Sequence, residues 1–273
     1  MGHQRLGMLP RTLKWQAVVD LISGGADVSS IASEVSAAAE RSTEMAANDP
    51  GASVALHTLT QVLLAARTDQ FVPELRRLGL MVGNEPSLLE VTSALANAID
   101  GQVRELGGRT DLGEMAKLAV VESLNAVAGR ELNTLFGTTT DDVRRTFAGL
   151  ATVKQFGLLT TDVFARLTRR QLDYFLSREL PRHVGASSRF HTLKEHHEFN
   201  RALDTHCRET ARIVREFSGE WFSKHTYEGG ITREKARGFV HVAFDKIRKE
   251  LSQRREADGR TPRGVWRPAG NQA

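Results

Sequence analysis

Apolar residues recur along most of the chain at intervals of three and four positions, which is the period of a helix with one buried face. No segment alternates apolar and polar residues between turn residues, as a half-buried strand would. The pattern therefore predicts an all-α protein. We expect a compact multi-helix bundle of about eight to ten helices, which could be organised as two helical subdomains.

Glycine, proline and capping residues mark the predicted ends of these helices. Gly24 and Gly25 end the first helix, because glycine readily adopts the left-handed conformation there, and Pro181 ends a later one. Thr and Asp precede several others, where their oxygens can accept amide hydrogens of the first turn. The predicted helices are residues 12–22, 29–47, 52–67, 72–78, 85–106, 110–128, 138–150, 160–180, 192–218 and 232–255, with a loop at 219–230.

Charge and aromatic content change after Gly157. Residues 1–157 carry 14 Lys and Arg against 18 Asp and Glu, whereas residues 158–273 carry 23 against 15. Five aromatic residues lie in the first part and twelve in the second. We therefore predict three regions. They are an acidic, alanine-rich helical region at 1–157, a basic, aromatic-rich helical region at 158–255 and a disordered basic tail at 256–273.

The basic region is suited to an anionic partner such as nucleic acid, because phosphates attract guanidinium groups and bases stack on aromatic rings. Three arginines share one face of the helix predicted at 160–180. That face could follow a phosphate backbone, or it could be the solvated side of an amphipathic helix. With arginines near the C-terminus, the candidate nucleic-acid-binding residues are Arg166, Arg169, Arg170, Arg254, Arg255 and Arg263.

Residues 191–207, HTLKEHHEFNRALDTHC, contain four of the nine histidines and the single cysteine, Cys207. Helical zinc ligands usually lie three or four positions apart, and neither His196 nor His197 has a ligand four positions later, so the spacing predicts no metal site. His206 falls on an apolar stripe, which predicts a histidine packed in the core. The stripe consists of Phe199, Leu203, His206, Thr210, Ile213 and Phe217.

A second interpretation of this segment starts from Arg201 and His206, which are separated by four residues. The arrangement resembles the motif of HEPN ribonucleases, small all-helical domains that cleave RNA without a metal at a dimer interface. The resemblance covers six residues, with Ala202 where the family usually has a polar residue. It implies that Arg201 stabilises phosphate charge and that His206 transfers a proton. Since five residues turn a helix by about 140°, the pair needs a local distortion or a partner subunit to act together.

Bulk properties predict the setting of the protein. A single cysteine fits a reducing cytoplasm. The sequence has no run of 18 apolar residues, so we expect no membrane span. Residues 1–15 lack the apolar core of a secretory signal, so we expect no such signal. The excess of arginine over lysine, 29 to 8, is typical of a bacterial genome rich in G and C.

Motifs for cofactor binding are absent from the sequence. It contains neither GxxxxGK[ST] nor GxGxxG, and we therefore expect no cofactor. GxSxG, which carries the nucleophile of serine hydrolases, is absent as well. Our main hypothesis is a non-enzymatic binding or scaffold subunit of a bacterial multi-protein assembly, which contacts nucleic acid through its basic C-terminal half. The alternatives are a metal-independent ribonuclease that uses Arg201 and His206, and a pure protein–protein interaction module. We expect a protein partner or a homo-oligomer, and no membrane partner.

Overall fold

The structure, a computed structural model, describes residues 13–39, 48–132 and 138–258, apart from the side chains of residues 254–258. It confirms the all-α prediction, since these residues form helices and no strand. None of the described helices has the length and apolar character that crossing a membrane requires. The helices are α1 (Leu13–Ser23), α2 (Val28–Ala38), α3 (Pro50–Ala65), α4 (Phe71–Arg77), α5 (Leu88–Glu105), α6 (Asp111–Glu131), α7 (Thr140–Leu150), α8 (Val153–Leu176), a short 3-10 helix (Leu180–His183), α9 (Leu193–Thr210), α10 (Arg212–Tyr227) and α11 (Arg233–Asp258).

Several helix ends follow the local signals in the sequence. Thr110 caps α6, because its hydroxyl accepts a hydrogen bond from the amide of Gly113 at 2.8 Å. Thr139 and Asp142 cap α7 reciprocally, each side chain accepting a hydrogen bond from the other residue's backbone amide. After α1, Gly25 has a φ of 76°, a left-handed conformation that glycine adopts without strain. Such interactions depend on neighbours in sequence, so they could be predicted.

The start of α8 differs from the prediction. Thr152 is its N-cap, rather than Thr160 or Thr161. The hydroxyls of the latter two donate to the carbonyl oxygens of Phe156 and Gly157 inside the helix. Threonine can be satisfied in this way within a helix, so it is an ambiguous start signal. As a result, α8 runs without a break through the predicted junction between the acidic and basic regions.

The segment predicted as one helix at 192–218 consists of α9 and α10, which meet at Ala211. The interruption is confined to that residue, whose amide still donates to the carbonyl oxygen of Cys207 at 3.0 Å. The prediction of a loop at 219–230 was wrong, since α10 continues to Tyr227. Gly219, which suggested a turn in the sequence, instead lies against α8 in a close helix contact.

Two predicted segments extend beyond the described residues. The helix predicted at 29–47 is observed as α2 up to Ala38, and residues 40–47 lie outside the described part. At the other end, α11 continues to Asp258, past the predicted end at 255. The remainder of the predicted tail, like residues 1–12, lies outside the described part.

The bundle is built around two buried helices. α8 packs mainly against α10, α6 and α9, and α3 packs against α6, α11 and α5. Aromatic rings fill the space where α8, α10 and α11 meet, with Phe156 4.2 Å from Phe222 and Trp221 4.5 Å from Phe239 between ring centroids. A continuous apolar core joins the residues before and after the compositional junction.

The N-termini of α3 and α6 meet at a pair of glycines. A Cβ on Gly51 would lie 2.7 Å from the Cα of Gly113, so no side chain fits between the two backbones. Asp49 caps α3 beside this crossing, accepting a hydrogen bond from the amide of Ala52 at 2.9 Å. Burial raises the pKa of Asp49, and hydrogen bonds from Thr110 and Ala52 only partly offset that effect.

Candidate nucleic-acid interface

The arginine face of α8 is turned towards a neighbouring helix. Arg166 donates to Asp162 at 2.6 Å and approaches Glu122 of α6 at 3.3 Å. Arg170 also pairs with Glu122. Both arginine side chains are more than two-thirds buried. A ligand phosphate would therefore have to displace protein carboxylates before it could bind either of them.

The third arginine of that face, Arg169, links α8 to α9. It pairs with Asp173 one turn along α8 and donates to the side-chain oxygen of Asn200 at 3.0 Å. Burial raises the pKa of Asp173, although the positive charge of Arg169 opposes the shift. Arg169 thus holds two helices together.

Asp162 extends this network between the same helices. Its side chain is 12% exposed and pairs with Arg208 of α9 at 3.1 Å as well as with Arg166. Burial raises its pKa, but hydrogen bonds from Arg166 and Ser123 and the charges of the two arginines together hold the pKa of Asp162 below its ordinary value. Arg208 also donates to Asp204 at 2.8 Å. The network fixes the position of α9 along α8.

The other predicted nucleic-acid contacts lie near the C-terminus. Arg254 and Arg255 belong to α11, but their side chains are not among those described. Arg263 lies outside the described residues. Their contribution to nucleic-acid binding stays a prediction.

Arg201 and His206 lie on different faces of α9. His206 is 8% exposed, and its stripe neighbours Phe199, Leu203 and Thr210 are also buried. Arg201 is exposed. Because α9 is unbroken between the two residues, the five-residue step turns their side chains about 140° apart. Within the described chain, nothing brings them onto one site.

The described residues offer little to a metal or a small ligand. They contain no group of three or more His, Cys, Asp or Glu side chains that could hold a metal ion. Cys207 is 1% exposed, and burial raises the pKa of its thiol to about 12. A cavity of about 10 Å³ beside Phe175 and Phe244 has room for about one water molecule.

A regular row of cations lies on the outer surface of α9 and α10. Lys194, Arg201, Arg208 and Arg215 are each seven residues apart and all exposed. Seven residues are about two helical turns, or about 10 Å, so the four positions span about 30 Å. Arg212 adds another exposed cation beside them. We call these five residues the α9–α10 cation row.

The internal partners of the cation row are few. Lys194 has a 3.9 Å contact with Glu198, and Arg208 is paired as described above. Within the described part of the chain, Arg201, Arg212 and Arg215 form no ion pair. These three guanidinium groups can bind a phosphate without first losing a carboxylate.

The row follows α8. Residues further along α9 and α10 contact residues progressively earlier in α8, so both helices run antiparallel to that single helix. The pairs are Asn200 with Arg169, Arg208 with Asp162, Arg215 with Gly157 and Gly219 with Val153.

Acidic residues on the same two helices balance the basic ones. Residues 193–227 contain six Lys and Arg and six Asp and Glu. Glu216 and Glu220 are exposed on α10. Affinity for phosphate would therefore have to come from the spacing and exposure of the row, since the net charge of these helices is zero.

Sequence reasoning named Arg201 only as a catalytic candidate and missed Lys194, Arg208, Arg212 and Arg215. The seven-residue spacing is visible in the sequence and could have identified the row. The prediction chose α8 instead, because several arginines lie close together there. The arginines of α8 are ion-paired, whereas Arg201, Arg212 and Arg215 are not among the described residues, and this difference depends on contacts between helices.

Comparison with protein-family models, with curated proteins and with solved structures finds no match for this chain.

Proposed function

We propose that this protein is a non-enzymatic helical binding subunit of a bacterial cytoplasmic assembly, which contacts nucleic acid through its basic C-terminal half. The observation that carries the proposal is the α9–α10 cation row, in which four of the five exposed cations recur every seven residues. A nucleic-acid backbone is a polymer of regularly spaced phosphates, so a repeating row of cations is complementary to it.

The ion pairs of the arginines support different roles for the arginines of α8 and those of the row. Arg166, Arg169 and Arg170 connect helices and help to fix the row, whereas Arg201 and Arg215 are available to a ligand. Contacts of a guanidinium with phosphates position a protein on nucleic acid without selecting a base sequence. We therefore propose binding that depends on the backbone and is largely independent of sequence.

The two alternatives differ from this proposal in what they require. A HEPN-like ribonuclease requires that Arg201 and His206 reach one phosphate, and the burial of His206 weighs against that. A module that binds only proteins requires no affinity for phosphate polymers. Salt-dependent binding of nucleic acid is therefore the property that separates the proposal from the protein-only alternative.

The test measures the equilibrium dissociation constant for a labelled oligonucleotide over a series of salt concentrations. The variant carries Arg201→Gln, Arg212→Gln and Arg215→Gln, which remove three charges without breaking an internal ion pair. The control carries Arg67→Gln, Arg104→Gln and Arg130→Gln, which remove three exposed charges from α3, α5 and α6 or their ends.

We expect the row variant to bind more weakly and to show a smaller dependence of log K on log salt, by about two for single strands. The control should behave like the unmodified protein. Equal effects of the two variants, or no binding by the unmodified protein, would contradict the proposal.

A further inference from the structure

Resting on the proposed function, we propose that the α9–α10 cation row binds single-stranded nucleic acid and that a duplex engages it only in part. The row is long and lies along one helix, and the Phe and Trp rings beside it are packed against the protein.

The length of the row fits the flexible backbone of a single strand better than the two backbones of a double helix. The row spans about 30 Å along α8, and one turn of B-form DNA is about 34–36 Å long. Within that length each strand of a duplex passes once around the helix axis, so a row that runs along that axis meets each backbone about once. A duplex can therefore contact about two of the four regularly spaced cations, whereas a flexible single strand can lie beside all four.

The Phe and Trp rings of α9 and α10 are not available for base stacking. Phe199 and Phe222 are buried, and Phe217 and Trp221 are half-buried, with centroids 5.2 Å and 4.5 Å from that of Phe239 in α11. These rings are therefore not free to stack on bases along the row. Recognition through phosphates alone does not distinguish ribose from deoxyribose, so RNA and DNA single strands should bind alike.

Acidic residues beside the row also disfavour binding of the second backbone of a duplex. Glu216 and Glu220 are exposed on α10, on the same side of the helix as Arg212 and further from Arg215. A second backbone that lies beyond Arg212 on this side meets their carboxylates, which repel its phosphates. A single strand has no such second backbone.

The experiment uses the full chain with an unstructured RNA, a DNA of the same sequence, and the corresponding DNA duplex, all long enough to span the row. Affinity is measured between about 50 and about 200 mM salt. Contacts with Lys194, Arg201, Arg212 and Arg215 predict that single-strand affinity falls roughly 50-fold over this range, while two contacts predict a roughly tenfold fall for the duplex.

A pair of matched variants locates the effect. Arg201→Gln with Arg215→Gln should lower the single-strand slope by about 1.4, because both cations touch the same strand. The duplex slope should change less, since the duplex can shift its contacts to Lys194 and Arg212. Arg67→Gln with Arg104→Gln should change neither slope.

The outcomes separate this inference from the function on which it rests. A steeper salt dependence for both single strands than for the duplex supports the inference. Equal slopes for single strand and duplex would overturn it and leave nucleic-acid binding in place. A preference of tenfold or more between RNA and DNA would overturn recognition by phosphates alone. Absence of binding to all three ligands would remove both the inference and the proposed function.

Discussion

Gly219 of α10 lies directly against Val153 at the start of α8. A Cβ on Gly219 would overlap the carbonyl oxygen of Val153 and lie 2.8 Å from its Cγ1. This contact sets the distance between the two helices at the end of the bundle where α8 begins. The glycine is therefore a packing residue, and the close approach of α8 and α10 depends on its missing side chain.

The substitution Gly219→Ala should destabilise the protein by at least about 2 kcal/mol, because the added methyl group forces the two backbones apart. Gly238→Ala is the matched control, since a Cβ there meets nothing within 4 Å on the exposed side of α11. Alanine is the better helix former, so the control should gain up to about 1 kcal/mol. Urea unfolding measures both, and a neutral Gly219→Ala would contradict the packing role.

The buried cap Asp49 should give a pH dependence of stability opposite to that of a paired carboxylate. Because its folded pKa is raised, its contribution is fully present below the unfolded pKa of about 3.9 and is lost as the pH rises through the folded pKa. Asp49→Asn keeps a capping oxygen without the charge, so the variant should gain relative to the unmodified protein as the pH rises from about 4 to 7. Asp49→Ala should be less stable than Asp49→Asn by about 1 kcal/mol at every pH, because neither variant has the charge and only the asparagine keeps a capping oxygen. A constant difference between the unmodified protein and Asp49→Asn would contradict this account.

Asp162 should show the opposite sign. Its folded pKa is lowered, so its stabilisation is present above the unfolded pKa and is lost as the pH falls through the folded pKa. Asp162→Asn should cost about 1–2 kcal/mol at neutral pH, since Arg166 and Arg208 lose a shared charged acceptor. The cost should shrink below about pH 4. Asp141→Asn, which affects an exposed pair network, should change the free energy of unfolding by less than about 0.5 kcal/mol.

Cys207 should be unreactive in the folded protein. A thiol with a pKa of about 12 that is 1% exposed supplies almost no accessible thiolate at pH 8. Labelling with a chromogenic disulfide should be slow in buffer and rapid in denaturant, so its rate reports on opening of the α8–α9 interface. Rapid labelling of the native protein would show that this interface opens readily.

His206→Ala should act on stability rather than on RNA cleavage. Removing a buried imidazole leaves a cavity beside Leu203 and should cost about 2 kcal/mol or more, whereas Arg201→Ala should leave stability nearly unchanged. Incubation with single-stranded RNA and EDTA should show binding without cleavage. Cleavage by the unmodified protein that is lost in Arg201→Ala, which should keep its stability, as well as in His206→Ala would instead establish the ribonuclease alternative.

The part of the fold that was predictable rests on interactions within one or two helical turns. The caps at Thr110 and Thr139 and the left-handed Gly25 follow from neighbouring residues, and the period of the stripe that contains His206 predicts its burial. The same rules failed at Thr160 and at the loop predicted at 219–230. A threonine can bond within its own helix, and a glycine can admit a neighbouring backbone instead of ending a helix.

For the candidate interface too, some features follow from the sequence and others only from the tertiary structure. The sequence by itself determined the helical class, most helix starts, the basic character of the C-terminal half and the seven-residue spacing from Lys194 to Arg215. Only the tertiary structure decided which arginines are available to a ligand. Glu122 pairs with Arg170 although 48 residues separate them, and such a pair leaves no local pattern along the chain. The physical reason is that a helix surface is periodic in sequence, whereas its solvent exposure depends on which other helix packs against it.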